Sequence, residues 1–356
     1  MRKTLSLLAA LSLTTPALAA EPAEKWRANG RRIFADIIAI PSVTDRTQEV
    51  KREVAYLKKE FEKGGFENIT VKDHDGTQSM IVRWKSQVKY KKGKAPKPIL
   101  LMGHMDVVEA KPEDWSRDPF KLVEEDGYLY GRGAPDMKNG ITAITNAFIW
   151  LKAEGFKPKR DIIVFFSGDE ETGGDGARRA STEWRDLIDA EYGLNADAGG
   201  GAFQKDGTLV GFGLQTSEKM YQDFTFTVRN PGGHSSRPRP DHAIYELAGA
   251  LKKLETHRFS PALTETTRAY LQFRQKREQT GLGDAMRRWL ANKDDQDAAD
   301  IIEADPSEVG LTRTRCVATR LEGGHANNAL PQMARATVNC RILPGVEAAE
   351  VLAELK

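Results

Sequence analysis

Hydrophobic and polar positions along this chain follow two periods, and the point where the pattern changes splits the sequence. Residues 24–40 and 48–63 carry apolar positions at helical spacing. In the second stretch Val50, Val54, Leu57 and Phe61 share one face, and glycines follow. Two helices are predicted there. The strand-like runs "NITVKDH" and "MIVRW" come next, then the continuous apolar run "KPILLMGHMDVV". A run without alternation predicts a central strand buried on both faces. "NGITAITNAFIWLKAEG" returns to helical spacing through Ile141, Ile144, Phe148 and Leu151 and stops at Gly155. "DIIVFF" and "YGLNADA" predict two more buried strands. Strands alternating with helices make an α/β sheet, which binds ligands at the carboxyl ends of its strands.

Near residue 214 the text changes. "YQDFTFTVRN" alternates, a Gly/Pro/Arg loop follows, and residues 241–257 place Ile244, Leu247, Leu251 and Leu254 at helical spacing. The alternating runs "RTRCVATRL" and "ARATVNCRIL" precede the start of a helix in "VEAAEVLAELK". This β-α-β-β order predicts a second, smaller α+β domain, interrupted over residues 262–310 by polar helical text. His242 is expected to cap the helix of this domain, and His74 and His257 to lie on the surface.

Composition narrows the function classes. A chain of 356 residues has room for two domains and a substantial core. A formal net charge of +2, with both signs plentiful, gives no footprint for nucleic acid or an anionic membrane. The N-terminus, "MRKTLSLLAALSLTTPALAA", has Arg2 and Lys3, a short apolar stretch and then Ala17-Leu18-Ala19. That order predicts a signal peptide over residues 1–19 and an exported protein, periplasmic or secreted. The apolar stretch is too short to span a bilayer. Export permits a disulfide, but bridging needs close Cβ atoms. Cys316 and Cys340 are therefore expected to be unpaired, partly buried thiols.

The polar residues at the strand ends carry the candidate chemistry. They are His104 and Asp106 in "GHMD", Asp136 in "GRGAPDMK", Glu170 and Glu171 in "GDEETGG", and Asp197 in "NADAGG". Taken singly, His104 reads as a core histidine, Asp136 as a helix cap and Glu171 as a solvated loop residue. Taken together, several acids on one sheet edge repel one another unless a cation neutralises them. One imidazole with several carboxylates fits a nitrogen/oxygen metal site.

The spaced motifs "GHMDVV…W…DPF…DGYLYGRGAPDMKNG…FFSGDEETGG…NADAGG" resemble the M20 family of zinc metallopeptidases, which includes carboxypeptidases, dipeptidases and aminoacylases. The resemblance covers about residues 25–356. It implies an α/β catalytic domain with a mainly parallel mixed sheet over residues 20–213. It also implies an inserted, ferredoxin-like α+β lid over residues 214–356 through which two copies form a homodimer. It implies two zinc ions, with cobalt or manganese as alternatives. His104 and Asp197 would hold one ion, Asp136 would bridge, and Glu171 would hold the other. Asp106 would hydrogen-bond His104 and fix its tautomer, and Glu170 would be the general base. His234 in "RNPGGHSSRPRP" would stabilise the oxyanion. Asn328 in "EGGHANNALPQ" and Arg341 in "CRILPG" would bind the substrate's carboxylate or backbone.

The substrate implied is a small peptide or an N-acyl amino acid. Family members close the second zinc site with a histidine beyond the lid, and the sequence stops at Lys356. The expectation is therefore a piece of a longer, active chain. A protein truly ending there is expected instead to be a binding or dimerisation relative without activity, and one metal ion on His104, Asp136 and Asp197 is a further alternative.

Overall fold

The computed structural model describes residues 22–356 except 44, 92, 198–199, 204–206 and 208. The expected signal peptide lies outside the described residues. The chain divides into two compact units between Phe212 and Gly213.

The first unit runs α1 (Glu24–Ile38), α2 (Thr47–Lys63), β1 (Ile69–His74), β2 (Thr77–Trp84) and β3 (Ile99–His104). It continues through the hairpin β4 (Val123–Glu125) and β5 (Tyr128–Tyr130), α3 (Asn139–Ala153), β6 (Ile162–Ser167), α4 (Asp175–Ser181) and α5 (Arg185–Ile188). It ends with β7 (Tyr192–Asn195), β8 (Gly200–Phe203) and β9 (Leu209–Gly213). Five strands form a sheet in the order β1-β2-β6-β3-β7. β2 is antiparallel to β1 and β6, whereas β3 is parallel to β6 and β7. Every strand but β2 therefore points the same way, the mainly parallel mixed sheet that the family resemblance implies.

Strand periodicity builds the two layers of core. Val164 and Phe166 of β6 pack with Leu57, Phe61 and Phe148 from the helices on one face. Ile163 and Phe165 pack with Leu100 and Ala180 on the other. β1 and β2 turn through Asp75 and Gly76, both at positive φ, as a two-residue hairpin turn requires. His74, expected at the surface, is 5% exposed. Its Nε2 lies 2.7 Å from Ser79 Oγ, and its ring stands against Trp184. The segment carrying α4 and α5 covers the end of β1, a long-range packing with no local signature.

The second unit runs β10 (Met220–Arg229), β11 (Gly233–His234), α6 (Ala243–Thr256), α7 (Glu265–Arg274), α8 (Gly281–Ala291) and α9 (Gln296–Ala304). β12 (Arg315–Gly323), β13 (Ala329–Leu330), β14 (Met333–Ile342) and α10 (Ala348–Leu355) follow. β14 lies between β10 and β12, antiparallel to both. The polar segment forms three helices, α7 to α9, around Leu271, Met286, Trp289 and Ile302.

Two expectations fail in this unit. Cys316 and Cys340 are joined by a disulfide. The register sets them directly opposite each other on β12 and β14, with Cα atoms 4.1 Å apart. That proximity comes from strand register, which composition and spacing do not encode. His242 precedes α6 but makes no side-chain cap bond, and stacks instead on Tyr245 at 4.3 Å. His257 bonds to Glu354 Oε1 at 2.9 Å and is partly covered.

Candidate metal centre

Three adjacent parallel strands bring the chemistry to one edge of the sheet. β3 ends at His104, β6 ends three residues before Glu170, and β7 ends two residues before Asp197. Asp136 arrives from the turn ahead of α3, where its backbone is non-helical and the Asp136–Met137 peptide is cis. Met137 is fully buried, and its sulfur lies 3.1 Å from the His104 amide nitrogen. A Cβ on Gly103 would stand 2.5 Å from the Met137 methyl, and one on Gly140 2.7 Å. Glycine on both sides is what lets this side chain fit between β3 and α3.

His104 is the hub of the cluster. Nδ1 lies 2.9 Å from the Asp106 carbonyl, so it carries the proton and donates. Nε2 then faces acids: Asp136 Oδ1 at 3.0 Å, Asp197 Oδ1 at 3.8 Å and Glu170 Oε2 at 4.0 Å. One ligand atom each from His104, Asp136 and Glu171 lies within 4.8 Å of the others. Asp106 contacts His104 Nδ1, as expected, through its backbone. Its carbonyl, not its carboxylate, makes the short contact to the imidazole, while Oδ1 lies 3.5 Å from Nδ1. The two carboxylate oxygens instead accept the backbone N–H groups of Glu170 and Glu171, each at 3.0 Å.

The electrostatics fit a cation. Burial alone pulls the His104 pKa down, but Asp106, by hydrogen bond and by charge, and Asp197 more than reverse this and raise it to about 10. Burial pushes the Glu170 carboxyl above its usual range, with Asp197, Asp106 and Asp136 adding to the shift against His104. Burial and then Asp136 do the same to Glu171. A field strong enough to keep a proton on Nε2 also favours a metal ion there, and imidazole with carboxylates suits zinc, cobalt or manganese.

The other expected site residues belong to the second unit. His234 pairs with Ala329 across β11 and β13, and the Ser235 amide donates to the Asn328 carbonyl at 2.9 Å, so His234 and Asn328 are neighbours. His234 Nδ1 lies 2.9 Å from Ser236 Oγ. Arg341 is not with them. It lies near the far end of β14, with its guanidinium over the Tyr221 ring at 4.8 Å.

Sequence reasoning missed Glu53 and Lys138, a buried ion pair with Nζ 2.9 Å from Oε2. A signal existed: Glu53 sits inside the apolar stripe of Val50, Val54 and Leu57, where a lone charge needs a partner.

The chain belongs to peptidase family M20/M25/M40, whose profile matches residues 100–338. It is 31% identical over 280 residues to "Probable carboxypeptidase S-like 2" of Dictyostelium discoideum, covering 75% of this chain and 51% of that protein. It is also 31% identical over 273 residues to "N-fatty-acyl-amino acid synthase/hydrolase PM20D1" of Mus musculus, covering 73% of this chain and 52% of that one. The chain thus spans about half the length of the curated relatives it matches. The crystal structure of an M20 family metallo-carboxypeptidase from Sulfolobus solfataricus shares the fold, with a TM-score of 0.61 and 18% identity over 92% of this chain and 74% of that one.

Proposed function

We propose that the protein hydrolyses an amide bond in small peptides or N-acyl amino acids. Divalent metal ions would be held by His104, Asp136, Glu171 and Asp197, with Glu170 as the general base. The observation that carries this reading is the convergence of His104, Asp136 and Glu171 within 4.8 Å, with Asp197 and Glu170 beside His104. Two zinc ions are expected, His104, Asp136 and Asp197 serving one, and Asp136 and Glu171 contributing to the other. Bound there, a metal ion supplies Lewis acidity, lowering the pKa of water and polarising the scissile carbonyl.

The chain's own residues divide the remaining work. Asp106 grips the Glu170 and Glu171 amides and so fixes the turn from which the two side chains diverge. Glu171 offers an oxygen to the ligand set. Glu170, about half exposed and 4.0 Å from His104 Nε2, would take a proton from the attacking water and return it to the leaving amine. Its raised pKa suits a group that must both accept and release a proton. The family resemblance assigns His234 to the oxyanion and Asn328 and Arg341 to the substrate.

The names of the two relatives favour two substrates, a peptide and an N-fatty-acyl amino acid. Either bond joins an acyl group to an amino acid's nitrogen, so one set of residues serves both. Export is supported by the Cys316–Cys340 disulfide, which needs an oxidising compartment. A homodimer through the second unit completes the proposal.

Glu170→Gln is the test. It is expected to keep its metal content and lose turnover by about 10²- to 10⁴-fold, the usual range for a proton-transfer group. Unchanged turnover would remove Glu170 as the base.

A further inference from the structure

Lys138 comes two residues after the candidate ligand Asp136, and its side chain is 1% exposed. Its ammonium lies 2.9 Å from Glu53 Oε2 and donates to the carbonyls of Ile37 at 2.5 Å and Ile40 at 2.8 Å. The ammonium thus has two hydrogen-bonded carbonyls and one carboxylate as an ion-pair partner. Ile37 lies in the last turn of α1 and Ile40 two residues beyond it, at the end where the helix dipole favours a cation. Glu53 stands on α2 and is fully buried. The segment after His104 is fastened to the same region, since the Ser42 hydroxyl donates to the Met105 carbonyl at 2.8 Å and the Val107 amide to the Ser42 carbonyl at 3.0 Å.

We propose that Lys138 and Glu53 are positioning residues, whose buried pair sets the place of the Asp136 carboxylate against His104 and Glu171 and thereby the metal affinity of the centre. Stability alone does not account for the pair. Two apolar side chains of similar size often pack as well as a buried ion pair, because both charges must lose their water. The pair adds direction. Asp136 sits in a non-helical turn, and its side chain is 60% exposed. It is held chiefly by the next two residues of the chain: Met137 seated between Gly103 and Gly140, then Lys138 locked to α1 and α2. The inference rests on the reading of His104, Asp136 and Glu171 as metal ligands.

The test is a Co(II) titration of the whole protein, monitored by visible absorption, alongside thermal unfolding. Lys138→Met alone is expected to unfold easily, because it strands the Glu53 charge. Lys138→Met combined with Glu53→Leu is expected to recover the wild-type unfolding midpoint. That double variant should still bind Co(II) about 10- to 100-fold more weakly and with an altered spectrum, as loss of groups that orient ligands does. Wild-type affinity and spectrum in the double variant would overturn the proposal and leave the pair as packing. Failure of the double variant to recover stability would overturn it too, marking the pair as a folding determinant. If the wild-type protein gives no Co(II) spectrum that Asp136→Ala abolishes, the metal-site reading itself fails and this inference falls with it.

Discussion

Asp106 is fully buried beside two glutamates that repel each other, and its carboxylate accepts one amide from each. Asp106→Asn puts an NH2 group where one acceptor stood, facing an amide that also donates. The turn then loses one restraint, while the imidazole keeps its contact with the residue 106 carbonyl. We expect kcat to fall about 10- to 100-fold with KM little changed and the fold intact, the scale seen for residues that orient ligands. Steady-state kinetics with circular dichroism on the same sample checks this, and equal losses of kcat and folded protein would contradict it. The candidate cluster was legible because each residue lies just past an apolar run or on an adjoining glycine-rich loop. The use of the Asp106 carboxylate was not, because it depends on how the loop after β6 crosses the end of β3. His74, Glu53 and Lys138 were hidden for a similar reason: a polar residue's burial is decided by segments distant in sequence.

Elements are joined by charges and by one covalent bond. Arg32 on α1 pairs with Glu60 on α2, and Lys63 lies 2.7 Å from the same carboxylate. Burial alone would raise the Glu60 pKa, but the hydrogen bonds and charges of Arg32 and Lys63 outweigh it and hold it low. A carboxyl depressed in the folded state adds stability above its unfolded pKa, and that stability is lost as pH falls through the folded value. Glu60→Gln is therefore expected to cost about 1 kcal/mol at neutral pH, screened by water around the half-exposed cations. The gap to wild type should close below the carboxylate range in urea unfolding. A gap that persists there would mean the loss is packing rather than charge. In the second unit the disulfide closes 24 residues of chain between β12 and β14. Replacing both cysteines by serine should cost about 3 kcal/mol by the loop-entropy estimate, measurable by denaturant unfolding. The strands were visible in the sequence as alternating runs. Their register was not, and register is what set the two cysteines face to face.

The whole molecule separates these features: the candidate ligands lie in the first unit and the disulfide in the second. Among the six tryptophans only Trp289 falls after residue 213, so fluorescence follows chiefly the first unit, while calorimetry follows both. A chelator is expected to lower the first unit's transition by about 10 °C, the shift for losing a ligand present at about a thousand times its Kd. It should leave the second unit's calorimetric transition unchanged, whereas a reductant should do the reverse. Calorimetry with fluorescence would show either pattern, and a chelator that moves neither transition would count against metal in the first unit. At this scale the family was readable from motifs spaced over most of the chain, because each motif marks a strand end brought to one sheet edge. The substrate was not readable, since amide hydrolysis of peptides and of acyl amino acids asks for the same residues.

In the proposed function, His104, Asp136, Glu171 and Asp197 hold the metal on which Glu170 depends. Anomalous diffraction from crystals of the whole protein grown with zinc tests this most directly. Anomalous density is expected between His104 Nε2 and the carboxylates of Asp136, Glu171 and Asp197, with the Glu170 carboxylate beside it. No anomalous density there, or zinc held only by other residues, would contradict it.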